Sequence, residues 1–287
     1  MIPRWAAPLV APAPYTCGVT GEGTGRTALV TGASAGIGKA FAEVLAERGY
    51  GLVLTARRAD RLQAVAVDLG IRFGVPITVH AADLADPAAP ADLVAALEAR
   101  GLHVDVLVNN AGYGVPGRYG AADWTRQRDF IQVLVVAVAE LTHRLLPGML
   151  ARHWGRVVNI ASLAALVPAA PGHTLYAASK AFLVKFSEAL AGECVPDGVH
   201  VTAVCPGFTY SEFHDVTGTR VQVSAMPRWM WSDARDVALQ GYAAAMAGTP
   251  VAVTGRVNRA IALGVRHLPS VVTNAAVRRT ARNFRKL

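Results

Sequence analysis

Thr27-Ala28-Leu29-Val30-Thr31-Gly32-Ala33-Ser34-Ala35-Gly36-Ile37-Gly38 is the stretch whose reading decides the fold. It begins as a short apolar run, turns through glycines, and leads into Gly36–Arg48, where apolar residues recur at helical spacing. A strand that turns through glycines into a helix exposes backbone N–H groups at the positive end of the helix dipole, where a pyrophosphate can sit. A glycine cluster alone is ordinary turn chemistry. Its place between strand and helix makes it a nucleotide-binding signal.

From Arg26 onward the same alternation repeats. Apolar runs near Gly51–Thr55, Ile77–Ala81, Val104–Val108, Arg156–Ile160, His200–Val204 and Val251–Thr254 read as further strands. Runs such as Val106-Leu107-Val108 are continuously apolar, as strands covered on both faces are. Helical patterns fill the gaps at Arg58–Gly70, Pro87–Arg100, Ala122–Met149, Leu175–Gly192 and Ser232–Ala247. This order predicts an α/β protein with a single doubly wound parallel sheet over residues 26–255. Residues 1–25 read as a Pro/Gly-rich, poorly ordered leader, and residues 256–287 as a basic helical tail.

Composition narrows the class. At 287 residues, 53% of them hydrophobic and 17% charged, the chain can bury a sizeable core and is not disordered. The mean hydropathy of +0.33 makes a membrane span worth testing. The uncharged stretches Val157–Ser179 and Val237–Gly255 are both broken by Gly and Pro, and Met1–Gly25 lacks the uninterrupted apolar segment of a secretory signal. Cys17, Cys194 and Cys205 form no disulfide or zinc spacing, so no metal is expected and a reducing cytoplasm fits. The net charge of +8 lies entirely in Arg256–Leu287, which holds seven Arg, one Lys and no acid.

Further motifs fall in order along the chain. Asp83-Leu84 follows the third strand, Asn109-Asn110-Ala111-Gly112 the fourth, Ser162 the fifth and Pro206-Gly207 the sixth, with Tyr176-Ala177-Ala178-Ser179-Lys180 on a helix between. Together with the Gly-x-x-x-Gly-x-Gly spacing of Gly32, Gly36 and Gly38, this series resembles the short-chain dehydrogenase/reductase family from Arg26 to about Gly255. The resemblance implies a Rossmann fold and a dinucleotide held by Gly32, Ser34, Gly36, Ile37, Gly38, Asp83, Leu84, Asn110, Ala111, Gly112, Tyr176, Lys180, Pro206 and Gly207.

The proton chemistry can be read from the side chains. Tyr176 and Lys180 are four apart on a predicted helix and share a face. A phenol of pKa about 10 is a poor base at neutral pH, but a nearby ammonium favours its phenolate, so Tyr176 is the expected general acid–base. The resemblance implies that Lys180 also holds the nicotinamide ribose and that Ser162 fixes the substrate oxygen. Ser162 and Tyr176 are 14 residues apart, one more than in many relatives, which an insertion in Val167–His173 would absorb. The stretch Gln132-Val133-Leu134-Val135 departs further, because relatives carry an Asn at the place of Leu134 and use it to hold a proton-relaying water.

At the end of the second strand, an acid would favour NAD and an arginine the 2′-phosphate of NADP. Ala56-Arg57-Arg58 therefore predicts NADP(H), with Arg57 or Arg58 on the phosphate. Phe208, Phe213, Met226, Trp229, Met230 and Trp231 crowd the segment Gly207–Asp233, which the resemblance makes a substrate lid, and suggest a small hydrophobic carbonyl or alcohol substrate. Tyr113, His173 and Thr174 could border that pocket.

In the tail, Arg278, Arg279, Arg282, Arg285 and Lys286 fall on one arc of a helical wheel, with Val272, Ala276, Val277, Ala281 and Phe284 opposite. Such a basic amphipathic helix could pack on the protein body or lie on an anionic membrane surface, making the chain peripheral there; nucleic acid is not an expected partner, since aromatic interleaving is absent. A homo-oligomer is implied by the resemblance. Two functions stay open: an NADP(H)-dependent oxidoreductase for a lipophilic substrate, or, because of Leu134, a dinucleotide-binding sensor or scaffold with impaired turnover.

Overall fold

The computed structural model describes residues 21–172, 174–210, 227–269, 271–273 and 275. Seven strands form one parallel sheet in the order β3-β2-β1-β4-β5-β6-β9. They are β1 (Thr27–Thr31), β2 (Gly51–Ala56), β3 (Ile77–Ala81), β4 (Val106–Asn109), β5 (Gly155–Ile160), β6 (Val199–Cys205) and β9 (Val251–Val253), while β7 (Phe208–Thr209) and β8 (Trp231–Ser232) pair separately. The helices are α1 (Gly36–Glu47), α2 (Ala59–Phe73), α3 (Ala89–Glu98), α4 (Trp124–Ile131), α5 (Ala137–Ala151), α6 (Thr174–Cys194), α7 (Ala234–Met246) and α8 (Arg256–His267).

Alternation within the strands divides the core. Ala28, Val30, Leu52, Leu54, Val158 and Val204 meet α1, α2 and α7 on one face. Leu29, Val53, Leu107, Val157 and Val201 meet α3, α5 and α6 on the other. Covering both faces explains why the strands read as unbroken apolar runs.

Differences from the sequence expectation lie in the connections. The expected helix Ala122–Met149 is divided by a wide π turn, Gln132–Val136, which holds Leu134. The run Trp124–Ala151 is long and apolar enough to cross a membrane, but Phe130, Val133, Leu134, Leu141 and Met149 bury its inner side in this core. The helix expected from Ser232 starts at Ala234, because Asp233 Oδ1 accepts from Arg235 N–H at 2.7 Å and caps it. The last residues of the expected poorly ordered leader are tied down: Glu22 accepts from the Tyr242 hydroxyl at 2.5 Å and lies 3.5 Å from Arg48 Nε. In the tail, α8 is a helix. Arg278, Arg279, Arg282, Arg285 and Lys286, together with Phe213, Met226, His173 and Cys17, lie outside the described residues.

Strand order reverses between β1 and β4, and one side chain joins them there. Thr31, 1% exposed, donates to Val108 O at 3.2 Å and accepts from Asn110 N–H at 2.9 Å and Ala111 N–H at 3.0 Å. Asn110 answers, its Nδ2 donating to Thr31 O at 2.9 Å and Gly32 O at 3.3 Å. A hydroxyl with one donor and two acceptor lone pairs is used in full. Replacing it by an isosteric methyl in Thr31→Val should destabilise the protein by about 1–3 kcal/mol, the cost of orphaning buried polar groups, while Thr31→Ser should restore most of the loss. Urea denaturation measures both variants.

Candidate active site

The glycine loop leaves β1 at its carboxyl end and enters α1. Gly32 has φ +67° and Gly36 φ +56°, a left-handed conformation that disfavours side chains. Gly38 answers to a different constraint: a Cβ there would lie 2.3 Å from Asn110 Nδ2 and 2.5 Å from Gly32 O. Only a glycine lets α1 come this close to the loop, and a helix N-terminus at the carboxyl end of β1, beside the β1–β4 junction, suits an anion. Of the residues expected at the cofactor, Asn110 thus spends its amide on bracing the loop, and Ile37, in the first turn of α1, packs against the core.

At the end of β2, Arg58 donates from Nη2 to Ser34 Oγ at 3.2 Å, whereas Arg57 stands exposed. Loop and strand end therefore present a hydroxyl and a guanidinium side by side. After β3, Leu84 is buried with Phe130, and exposed Asp83 turns the chain by accepting from Ala85 N–H at 3.1 Å. Ala111 packs on the same apolar cluster, and Gly112 faces Leu134, whose Cγ would be 3.6 Å from a Cβ there.

Ser162, Tyr176 and Lys180 converge beyond β5. The Ser162 hydroxyl reaches the Tyr176 phenol and favours its ionised form, although burial outweighs this and raises the phenol above its ordinary value. In the loop before α6, Gly172 adopts φ +90° and its carbonyl accepts from Gly117 N–H at 3.1 Å. Lys180 is 6% exposed, and its Nζ donates to Ile160 O at 2.7 Å and lies 5.8 Å from the centre of the Tyr176 ring. Burial pushes this amine down to about 8. The expected electrostatic help from Lys180 to the phenol is not among its influences, and Ser162 supplies the lowering effect instead.

Leu134 is 1% exposed and belongs to an apolar cluster on which Ala111, Tyr113 and Tyr176 pack. The side of the site that Leu134 occupies, where the family resemblance leads one to expect a polar residue, is thus apolar. Tyr113 stands edge-on to Phe130 at 5.6 Å, and Thr174 begins α6.

On the opposite side, Pro206 O accepts from Leu163 N–H at 2.8 Å, tying the loop after β6 to the Ser162 loop. Sequence reasoning missed the next residue in this chain of contacts. A Cβ on Gly207 would lie 2.4 Å from Oδ1 of Asn258, a buried side chain of α8 whose Nδ2 donates to Thr254 O at 2.8 Å. Nothing local marks Asn258, because its importance arises from a contact across 50 residues of chain. Beside it, Tyr210 stacks on Trp231 at 4.8 Å and Phe208 tilts against Trp231 at 5.6 Å, while Trp229 is exposed.

The buried lysine generates a pH prediction. The unfolded side chain holds its proton up to about 10.5 and the folded one only to about 8, so between these values the unfolded chain binds more protons and Lys180's contribution to stability rises with pH. An NMR titration of the lysine ammonium nitrogens in the cofactor-free protein should show one midpoint near 8 that disappears in Lys180→Met. Lysines titrating uniformly near 10.5 would contradict the burial described here.

The short chain dehydrogenase family profile matches residues 26–221. A very-long-chain 3-oxoacyl-CoA reductase of Anas platyrhynchos is 38% identical over 202 residues, 69% of this chain and 64% of that protein, so the chain spans less than two thirds of this relative's length. Among solved structures, a short-chain dehydrogenase from Sphingobium yanoikuyae in complex with NADPH superposes with a TM-score of 0.73 at 31% identity, covering 84% of this chain and 93% of that one. The L-sorbose reductase of Gluconobacter frateurii, complexed with NADPH and L-sorbose, superposes with a TM-score of 0.71 at 29% identity over 80% of this chain and 94% of its own. A glycine loop braced by Asn110, a Ser162–Tyr176–Lys180 group beyond β5 and a profile match over most of the chain lead to one assignment: the protein belongs to the short-chain dehydrogenase/reductase family of oxidoreductases.

Proposed function

We propose that the protein is an NADP(H)-dependent oxidoreductase acting on a lipophilic carbonyl compound or secondary alcohol, with Tyr176 as its general acid–base. The observation that carries the proposal is the meeting of two features at the carboxyl ends of the strands. One is the loop with the Arg58–Ser34 pair, and the other is the Ser162–Tyr176–Lys180 group. The loop fits a dinucleotide, since Gly32, Gly36 and Gly38 leave a cradle that side chains would fill. Arg58 and Ser34 suit a 2′-phosphate, and the neighbours that hold NADPH agree. When bound, the cofactor supplies or accepts the hydride.

This chain's residues handle the proton. Ser162 orients the substrate oxygen beside Tyr176, and the phenol donates its proton to that oxygen in reduction or accepts one in oxidation. Lys180, held by Ile160 O, keeps its Nζ 5.8 Å from the centre of the ring, where an ammonium would favour the phenolate that reduction leaves. The stack of Phe208, Trp231 and Tyr210 supports an apolar substrate, as does the acyl-chain chemistry named for the Anas relative.

Calorimetry with each cofactor tests the reading. NADPH should bind more tightly than NADH, and Arg58→Ala should weaken NADPH about 10–100-fold, the loss of one charge-assisted contact, while leaving NADH unchanged. Equal affinities in the unaltered protein would refute the cofactor assignment. Oxidation of NADPH with any member of a panel of aliphatic ketones, steroids and 3-oxoacyl thioesters separates the enzyme from a silent sensor.

A further inference from the structure

One face of α8 has no use in the reaction. Arg256, Arg259, Leu263, Arg266 and His267 are exposed, Arg259 also reaching Gln240 Oε1 at 3.4 Å, while Val257, Ile261 and Val265 on the inner face are half-buried. On the helix Leu263 is 61% exposed, and past it apolar exposure continues, with Leu268 52%, Val271 78% and Val272 51% exposed. None of the three arginines has an ion pair with a described residue, and no acidic residue follows Asp236 to the end of the chain. The surface is therefore apolar and uniformly positive at once, and nothing in the last part of the chain neutralises it.

Its position is also specific. Buried Asn258 anchors α8 against Gly207, and a Cβ on Gly255 would lie 3.6 Å from Ser232 Oγ. The helix thus grows out of the corner formed by the Pro206–Gly207 loop and the Tyr210–Trp231 stack, where Trp229 is 65% exposed.

We infer that the outer face of α8 and the turn that follows it form a docking surface for an anionic phospholipid bilayer, beside the mouth of the substrate site. A bilayer matches both properties of the face. Leucine and valine side chains enter the interface while arginine stems lie along it and carry their charges to lipid phosphates. A two-fold contact with a second copy would set the same arginines against one another, and a nucleic acid would leave the aliphatic side chains without partners and find no aromatic to stack on the face. The inference goes beyond the catalytic reading and does not depend on it; if both hold, an apolar substrate enters from the membrane at the corner where it is used.

Flotation of the full-length protein, without substrate or cofactor, tests this surface. The protein should rise with vesicles of phosphatidylcholine mixed with phosphatidylglycerol, stay down with phosphatidylcholine alone, and be released by high salt. Arg256→Glu, Arg259→Glu and Arg266→Glu combined should weaken partitioning by about 100-fold or more, with NADPH binding and thermal midpoint unchanged. Hydrogen exchange on the unaltered protein gives a readout that needs no variant: anionic vesicles should slow the amides of α8. Absence of flotation, flotation of the triple variant at the parent's level, α8 amides indifferent to vesicles, preferential binding of duplex DNA, or loss of self-association in the variant in place of lost flotation would each overturn it.

Discussion

Thr31 holds the protein together at the one place where the sheet's strand order reverses. Its hydroxyl joins the carboxyl ends of β1 and β4, and Asn110 returns two hydrogen bonds to the loop that Thr31 begins. Two strands distant in sequence are thereby fixed in register where the glycine loop must hold its N–H groups open. Such a crevice is where open α/β sheets bind ligands. The glycines are a consequence of this clasp, since Gly38 has room for nothing larger against Asn110 and Gly32.

Burial sets the chemistry beyond that junction. Lys180 is enclosed and donates to Ile160 O, and burial lowers its amine to about 8, while the phenol of Tyr176 is raised by the same enclosure and lowered only by Ser162. Leu134 adds to the dryness, closing with aliphatic carbon a side where a polar residue could have admitted water. A charged partner brought close to Tyr176 therefore acts through little intervening solvent, which strengthens its effect on the phenol. On the far side, the loop after β6 links this centre through Asn258 to α8, so the site's outer wall and the basic helix share one support.

Much of this was legible in the sequence. All seven strands of the sheet follow apolar runs, because parallel strands covered on both faces leave an unmistakable pattern. The Ser162, Tyr176 and Lys180 group was legible too, since each stands after a strand or on a helix at fixed spacing. What escaped notice depends on contacts distant in sequence. Asn258 against Gly207, Glu22 under Tyr242, and Arg58, rather than Arg57, on Ser34 are matters of three-dimensional placement. The π turn at Gln132–Val136 also lacks a local signature, because its residues read as an ordinary apolar helix.

The central claim is that Tyr176 delivers the proton in a site whose geometry is otherwise complete without it. Tyr176→Phe removes one oxygen and leaves the ring packed where it is. With any substrate that the parent protein turns over, kcat for the variant should fall by about 10²–10⁴-fold or more, with NADPH affinity and thermal midpoint unchanged. A variant that retains the parent's kcat would contradict the account and move the proton chemistry to another residue.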